Sequence, residues 1–207
     1  MNAPYERQHQ FSRSQRADSG ACAVIQAQVL SALGRNSGAL NVADVDCGAG
    51  TQCLLWAEQG HQVFGVDGDE ALVGQARARA HESSLEIGFE VACASALPWP
   101  DCSMDLVLAP DWLEHTSNWR ACLAELVRVL KPGGLLYLST SSLSASGLRA
   151  HLAHHGLASL AHVDLAGLGA QGRARRAAFA LLRAVPPLRF GADLAAPDNS
   201  LLAFKAA

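Results

Sequence analysis

Residues 44–53, with the sequence DVDCGAGTQC, bring together residue types that can hold a cofactor. Gly48 and Gly50 lie between an apolar, strand-like run and a helix-like run. A glycine-rich turn between a strand and a helix lets backbone N–H groups approach a ligand closely, and it favours anionic or polar groups. The alternative is steric, because tight strand–helix turns also use glycine where no ligand is bound.

An acidic residue further along strengthens the cofactor hypothesis. Asp67 ends the next strand-like run, QVFGVD, where its carboxylate can accept both hydroxyls of a ribose. The alternative is a surface aspartate at which a helix begins, in the segment DGDE. A dinucleotide is disfavoured, because Cys53 stands where the GxGxxG pattern needs its last glycine. No lysine follows in the position that a P-loop requires.

The elements that must position these residues alternate between strands and helices. Helices are predicted for residues 51–59, with Thr51 as N-cap and Gly60 as stop, and for 118–130, where one apolar stripe has helical spacing. Apolar runs predict strands at 39–46, 62–67, 87–93, 104–110 and 134–140. This alternation predicts an α/β fold in which helices cover both faces of a parallel sheet.

The sequence also predicts how the second helix ends and which elements follow residue 140. Lys131 and Pro132 should end the second helix, and the two glycines that follow should turn the chain into the next strand. In the last quarter, helices are predicted at 147–156 and 173–185, and strands at 157–163 and 200–206.

The composition narrows the class of protein. The chain has 207 residues, of which 50% are hydrophobic, and a net charge of −3, which argues against a dedicated nucleic-acid binder. The N-terminus is too polar for a signal peptide, and no apolar run approaches the roughly 20 residues that span a bilayer. Six cysteines without a CxxC pair indicate reduced thiols, and we therefore expect a cytoplasmic protein.

Four segments in one collinear order resemble the class I S-adenosylmethionine-dependent methyltransferases. They are DVDCGAG, VFGVD, ALPWPDCSMDLVLAPDWLEH and LAELVRVLKPGGLLYLST, within residues 38–141. The similarity is greatest to the small-molecule branch that includes quinone-biosynthesis enzymes, known as methyltransferase type 11. It implies a Rossmann-like three-layer sandwich with a mostly parallel seven-stranded sheet and a reversed last strand. Residues 38–207 would be the methyltransferase domain, and 1–37 an N-terminal helical segment that one hypothesis makes part of a lid.

The resemblance also implies that S-adenosyl-L-methionine is the cofactor, and it implies which residues hold it. Asp67 should bind the ribose, Gly68 should lie beside the adenine, and Asp44 should lie near the methionine end. Trp112 and His115 should face a small-molecule acceptor, with His115 as the candidate general base or, alternatively, a packing or capping residue at a helix start. The full set of expected cofactor contacts is Asp44, Asp46, Gly48, Ala49, Gly50, Asp67, Gly68, Cys93, Ala94, Ala109 and Pro110.

Two positions depart from the pattern of the family. Asp46 replaces its first glycine, and Cys93 replaces the usual acid at the adenine amino group. Asp46 adds volume and charge, although aspartate tolerates unusual backbone angles and its carboxylate could attract the ammonium or sulfonium of the cofactor. Asp44 and Asp46 are expected on the same side of an extended chain, so that one of the two carboxyls keeps its proton.

Two hypotheses about function follow. The first is an enzyme that transfers a methyl group to an oxygen or carbon of a small molecule. The alternative is a degenerate, non-catalytic protein with the same fold that acts through cofactor sensing or protein contacts. A metal site is not predicted: His151 and His155 have a chelating spacing, but no third ligand accompanies them. The oligomeric state is left open.

Overall fold

The order of strands and helices follows the predicted alternation. A computed structural model of the protein describes Cys22, Gln26, Val29, Leu30 and residues 38–110, 116, 118–140, 152–153, 157–164 and 199–205. Within these residues the elements are β1 Asn41–Val45, α1 Thr51–Ala57, β2 Gln62–Asp67, α2 Glu70–Glu82, β3 Ile87–Val91, β4 Met104–Ala109, α3 Trp119–Val129, β5 Leu130–Thr140, β6 Leu157–Asp164 and β7 Asn199–Lys205.

A single sheet connects these strands in the order β3-β2-β1-β4-β5-β7-β6 within the described part of the chain. Strands β1 to β5 pair in parallel. Beyond β5 the pairing is antiparallel, first between β5 and β7 and then between β7 and β6. The prediction of an α/β fold built on a parallel sheet is confirmed.

Both faces of the sheet are buried under helices. Neighbouring strand residues such as Val42 and Ala43 point to opposite faces, and each belongs to a different apolar cluster. One cluster includes Trp56 of α1 and Val73 of α2, whereas the other includes Leu126 of α3. The near-continuous apolar character of the strands has its cause in this two-sided burial.

The connection from α3 to β5 differs from the prediction. The helix ends at Val129 and β5 begins at the next residue, so KPGG lies inside the strand and makes no separate turn. The pairing of β4 with β5 shifts register between Met104 and Leu106, and Gly133 adopts a φ of 76° in the extra stretch. Leu130 and Leu135 face those two β4 residues, so the intervening residues bulge out of the ladder.

The start of α1 also differs. Its N-cap is Gly50 and no side chain caps it, so the prediction of Thr51 as N-cap is wrong. The Thr51 hydroxyl instead accepts a hydrogen bond of 3.0 Å from Arg79 Nη1. The predicted stop at Gly60 agrees with the end of α1 at Ala57 and with the φ of 82° at that glycine.

Several predictions fall partly or wholly outside the described residues. These include the helix at 173–185, most of the helix at 147–156 and most of the N-terminal segment 1–37. All six cysteines are free thiols. Where the structure describes the chain, no helix is both long and apolar enough to cross a membrane.

Candidate cofactor site

The site lies where the carboxyl ends of β1 and β2 meet. These strands pair in parallel up to Val45 and Val66, so the residues that follow them come together at one edge of the sheet. The turn after β1 is tied to the end of β2 by a hydrogen bond of 2.9 Å from Cys47 N to Val66 O. It closes on itself through a bond of 3.0 Å from Gly50 N to Cys47 O. The turn between β1 and α1 is therefore fixed against the neighbouring strand.

Alternate residues of this turn adopt left-handed backbone conformations. The φ angles are 65° at Asp46, 57° at Gly48 and 77° at Gly50. Glycine adopts such angles at no steric cost, and aspartate does so more readily than most residues, whereas L-residues in general lose about 1–2 kcal/mol. At Gly50 a Cβ atom would also lie only 2.9 Å from Phe89 Cζ. The glycine pattern in the sequence therefore has a structural cause, and Asp46 shares it.

Asp67 points into this turn. Its side chain is buried, with 2% of the residue exposed, and its Oδ2 accepts a hydrogen bond of 2.8 Å from Gly48 N. Its Oδ1 accepts one of 2.9 Å from Asp69 N. The alternative of a surface aspartate that begins a helix is therefore wrong. The residue that caps α2 is Asp69, whose Oδ1 accepts from Ala71 N at 2.9 Å.

Asp46 and Asp67 form a pair of neighbouring carboxyls. Burial, and next the charge of Asp46, raise the pKa of Asp67 to about 6, although the hydrogen bonds from Asp69 and Gly48 oppose this rise. A hydrogen bond between the Asp46 and Asp67 side chains adds to the rise. The pairing expected for Asp46 and Asp44 assumed an extended chain, and this premise is wrong because β1 ends at Val45 and Asp46 is left-handed.

Asp44 lies beneath the turn. Only 2% of it is exposed, and its Oδ2 accepts a hydrogen bond from Cys53 Sγ at 3.3 Å. The pKa of Cys53 is raised well above its ordinary value, first by burial and then by a hydrogen bond with Cys47 and the charge of Asp44. Cys53 is therefore a protonated thiol that supports Asp44. The residue that breaks the dinucleotide pattern thus packs inside the fold.

Two contributors to the turn have no clear signal in the sequence. Arg79 of α2 donates through Nη1 to Ala49 O at 2.7 Å, and so it ties the turn to the neighbouring helix. Gln52 is 5% exposed, yet neither its Nε2 nor its Oε1 has a hydrogen-bond partner in the structure. The one feature of the sequence that could have drawn attention to Gln52 is its polar side chain in the first turn of a mostly apolar helix.

The expected adenine side is formed by the segment that follows β3. Cys93 is exposed and its Sγ lies 3.1 Å from Ser95 Oγ, while Ala94, like Gly68 after β2, is half-buried. Ala92 N donates to Asp67 O at 3.1 Å, so this segment starts next to the candidate ribose site.

A charged clamp on α3 holds the same segment further on. Arg128 Nη2 donates to Leu97 O at 3.0 Å and its Nη1 to Trp99 O at 2.8 Å. Glu125 Oε2 accepts from Leu97 N at 2.8 Å and pairs with Arg128, whose hydrogen bond lowers the pKa of Glu125. Asp101 completes the clamp through a 2.8 Å ion pair with Arg128.

The expected methyl-donor side is the end of β4. Ala109 is fully buried there, and Pro110 is half-buried directly after it. The two residues expected to face the acceptor, Trp112 and His115, lie outside the described residues. The described part of the chain contains no group of three His, Cys, Asp or Glu residues that could hold a metal ion.

These residues fit an adenosyl ligand with an amino-acid end. Each Asp67 oxygen accepts one backbone hydrogen bond, and a carboxylate oxygen has capacity for a second one from a ribose hydroxyl. Gly48 carries no side chain that would separate a ligand from the turn, and the buried amide of Gln52 offers a free donor and a free acceptor. Asp46 lies beside Asp67, and its charge contributes to the raised pKa of that carboxyl.

Comparison with known proteins adds independent evidence. A family model described as a methyltransferase domain matches residues 43–138. The ubiquinone biosynthesis O-methyltransferase of Maricaulis maris is 36% identical over 102 residues, which are 49% of this chain and 40% of that protein. The protein of the same name from Rhodopseudomonas palustris is 34% identical over 101 residues, 49% of this chain and 39% of the relative. The chain thus matches about two fifths of the length of these relatives.

Solved structures share the fold at lower identity. Magnesium protoporphyrin IX methyltransferase from Synechocystis PCC 6803, with bound SAM, superimposes with a TM-score of 0.66 at 18% identity and covers 91% of this chain and 79% of its own. An S-adenosylmethionine-dependent methyltransferase from Mesorhizobium loti gives 0.65 at 20% identity, covering 86% and 96%. The cyclase SpnF gives 0.63 at 24% identity, covering 83% and 76%. The likeness to these structures is one of fold, and the cyclase carries a different reaction on it. Residues 43–138 therefore match a methyltransferase domain in sequence, and the described strands and helices share the fold of S-adenosylmethionine-dependent methyltransferases.

Proposed function

We propose that the protein transfers a methyl group from S-adenosyl-L-methionine to a hydroxyl oxygen of a small molecule. The observation that carries the proposal is the hydrogen bond of 2.8 Å from Gly48 N to Asp67 Oδ2, inside a segment that matches a methyltransferase family model. It places a buried acceptor at the glycine turn, where a ribose needs one. The preference for oxygen over carbon rests on the relatives named ubiquinone biosynthesis O-methyltransferase.

In this proposal the expected site residues keep their roles. Asp67 accepts from the ribose hydroxyls, and Gly48, Ala49 and Gly50 present the turn to the cofactor. Gly68, Cys93 and Ala94 surround the adenine, while Asp44 supports the methionine end. Asp46 neighbours Asp67, and its charge contributes to the raised pKa of that carboxyl, about 6. Ala109 and Pro110 line the methyl-donor side.

The chemistry needs little more than alignment from the protein. When bound, the cofactor supplies an electrophilic methyl group on a sulfonium. The hydrogen-bonded turn and the buried end of β4 would position the cofactor relative to the acceptor, which is the proximity contribution to catalysis. A hydroxyl acceptor must lose its proton, and we assign this task to His115 as general base.

The larger architecture belongs to the same proposal. The domain comprises residues 38–207 and has a complete seven-stranded sheet in which the last strand is reversed, which the antiparallel pairing of β7 with β5 supports. Residues 1–37 form a helical segment that contributes to a lid. This part of the proposal is supported by Gln26, which donates through Nε2 to Leu55 O of α1 at 2.9 Å.

The test is titration calorimetry with S-adenosylmethionine and its product S-adenosylhomocysteine, followed by a methyl-transfer screen against phenols and quinone precursors. Wild-type protein should bind both ligands, and Asp67→Ala should weaken binding by about 10- to 100-fold because acceptors to the ribose are lost. Glu82→Ala, which removes an exposed acidic residue at the C-terminal end of α2, is the control and should bind like wild type. If wild type binds neither ligand and Asp46→Gly restores binding, the non-catalytic alternative is the better description.

A further inference from the structure

The buried amide of Gln52 is the strongest sign of a ligand contact that the family resemblance does not supply. Within the part of the chain that the structure describes, both polar atoms of this side chain lack a hydrogen-bond partner, although only 5% of the residue is exposed. Buried polar groups in folded proteins are paired in the great majority of cases, since an unpaired one costs about 1–3 kcal/mol. An exception therefore needs an explanation, and a missing ligand or water is the usual one.

The position of Gln52 in α1 indicates where that partner lies. It is the second residue of the helix, directly after the glycine turn, whereas Cys53 faces the core and Thr51 faces Arg79 of α2. Leu55 and Trp56, three and four positions later, share its side of the helix, and the buried Nε1 of Trp56 also has no hydrogen-bond partner among the described residues.

That side of α1 meets the N-terminal segment. Gln26 Nε2 donates to Leu55 O at 2.9 Å, and Gln59 Nε2 donates to Gln26 Oε1 at 3.0 Å. Gln52 stands one turn before these contacts, at the end of the helix that adjoins the candidate site. Gln52 therefore lies next to the glycine turn that follows β1.

The sheet order tells which part of the cofactor comes near this edge. Strand β1 lies between β2, which carries Asp67, and β4, which carries Ala109. A ligand with its ribose at the end of β2 and its reactive methyl group near the end of β4 must cross the end of β1. The atoms that cross there are C5′ and the sulfur, and the amino-acid chain branches from that sulfur, so the chain begins near the end of β1.

An amide suits this amino-acid end chemically. The amino-acid end carries an ammonium group, which donates hydrogen bonds, and a carboxylate, which accepts them. Gln52 offers one acceptor, Oε1, and two donors on Nε2, so it can serve both groups without a net charge of its own. A buried carboxylate or ammonium side chain would serve one of them and repel the other.

We propose that Gln52 binds the amino-acid end of the cofactor, with Oε1 accepting from the ammonium and Nε2 donating to the carboxylate. This inference rests on the proposed function and adds a residue that decides between adenosyl ligands with and without an amino acid. It makes Gln52 a determinant of specificity and assigns it no part in the chemical step.

The test compares two ligands by calorimetry on wild type and Gln52→Leu. S-adenosylhomocysteine has the amino-acid end, and methylthioadenosine lacks it but keeps the adenosyl thioether. For Gln52→Leu we expect the affinity for S-adenosylhomocysteine to fall by about 10- to 100-fold, with the affinity for methylthioadenosine within about twofold of wild type. The melting temperature of the free variant should not fall, because leucine leaves no polar atom unpaired.

Gln59→Leu is the matched control, because it changes an amide just beyond the end of the same helix, and the partner of that amide is Gln26. It should leave the ratio of the two affinities unchanged. If Gln52→Leu weakens both ligands equally, or weakens neither because ordered water alone satisfies the amide, the inference is overturned. Wild type that binds methylthioadenosine but not S-adenosylhomocysteine overturns the inference alone, whereas wild type that binds neither overturns the proposed function as well.

Discussion

Replacement of Asp46 by asparagine should stabilise the protein, and the gain should depend on pH. Asn has nearly the shape of Asp and also tolerates the left-handed conformation that Asp46 adopts at a φ of 65°. The substitution therefore leaves the turn in place and removes one carboxylate next to Asp67. At neutral pH, the folded wild-type protein must either keep two negative charges close together or keep a proton on Asp67, which would be ionised in the unfolded chain.

The magnitude follows from the pKa of Asp67, which is about 6 compared with an ordinary value of 3.8. The folded state keeps the proton to higher pH than the unfolded chain, so the contribution of Asp67 to stability is fully present below about pH 4 and lost as the pH rises through about 6. The whole difference corresponds to about 3 kcal/mol. Burial is the larger cause and the charge of Asp46 the second, so we assign about 1 kcal/mol to Asp46.

Urea unfolding at pH 4 and pH 8 measures this effect. Asp46→Asn should raise the free energy of unfolding by about 1 kcal/mol at pH 8 and change it little at pH 4, where the unfolded carboxyls also hold protons. Asp46→Gly should add a gain of about 1 kcal/mol that is the same at both pH values, because it removes the left-handed strain of a side-chain residue. Glu90→Gln, which removes an exposed charge from β3, is the control for net charge. A gain of equal size at both pH values for Asp46→Asn would refute the argument that the charge of Asp46 raises the pKa of Asp67.

Two further substitutions test how the site is held. Gly50→Ala should lower the free energy of unfolding by about 2–4 kcal/mol, because φ is 77° at this position and the new Cβ would lie 2.9 Å from Phe89 Cζ. Gly74→Ala is the control: this glycine lies in a helix with open space around it, so the substitution should stabilise the protein by up to about 1 kcal/mol. Equal effects of the two substitutions in urea unfolding would contradict the steric argument. Arg128→Lys should destabilise the fold by about 1–3 kcal/mol and weaken the binding of S-adenosylhomocysteine in calorimetry. The reason is that one ammonium cannot replace a guanidinium that contacts Glu125, Asp101 and two backbone carbonyls. Unchanged binding in a folded variant would show that the clamp does not support the site.

The strands of the parallel sheet were predictable because burial on both faces leaves a strong pattern in the sequence. The run QVFGVD matches β2 Gln62–Asp67 residue for residue. The segment KPGG was assigned wrongly because local turn propensity favours a turn there, whereas pairing with β4 draws the segment into β5 as a bulge. Long-range pairing of this kind has no local signature.

The features of the candidate site likewise include some that were predictable from the sequence and some that were not. Left-handed glycines at positions 48 and 50 and an acidic residue at the end of β2 were predictable, because each fulfils a local geometric need. The partner of Asp46 was not, since the neighbour of its carboxyl comes from another strand, 21 residues further along the chain. The contact from Arg79 Nη1 to Ala49 O joins residues 30 positions apart in the sequence, and it was unpredictable for the same reason.

The energetics of Asp46 and Gln52 argue that the site still binds a ligand. In the free protein both residues oppose folding: one places a charge next to a buried carboxyl, and the other buries an unpaired amide. Substitutions that remove these groups, such as Asp46→Asn and Gln52→Leu, are expected to stabilise the free fold. Groups that destabilise a free protein are concentrated in functional sites, where a ligand supplies the missing interactions. A descendant that bound no cofactor would gain stability from losing both. If Asp46→Asn and Gln52→Leu stabilise the free protein and weaken the binding of S-adenosylhomocysteine, the two side chains serve the ligand at the expense of the fold. If the substitutions stabilise the protein and leave binding unchanged, the two side chains have no role in binding this ligand.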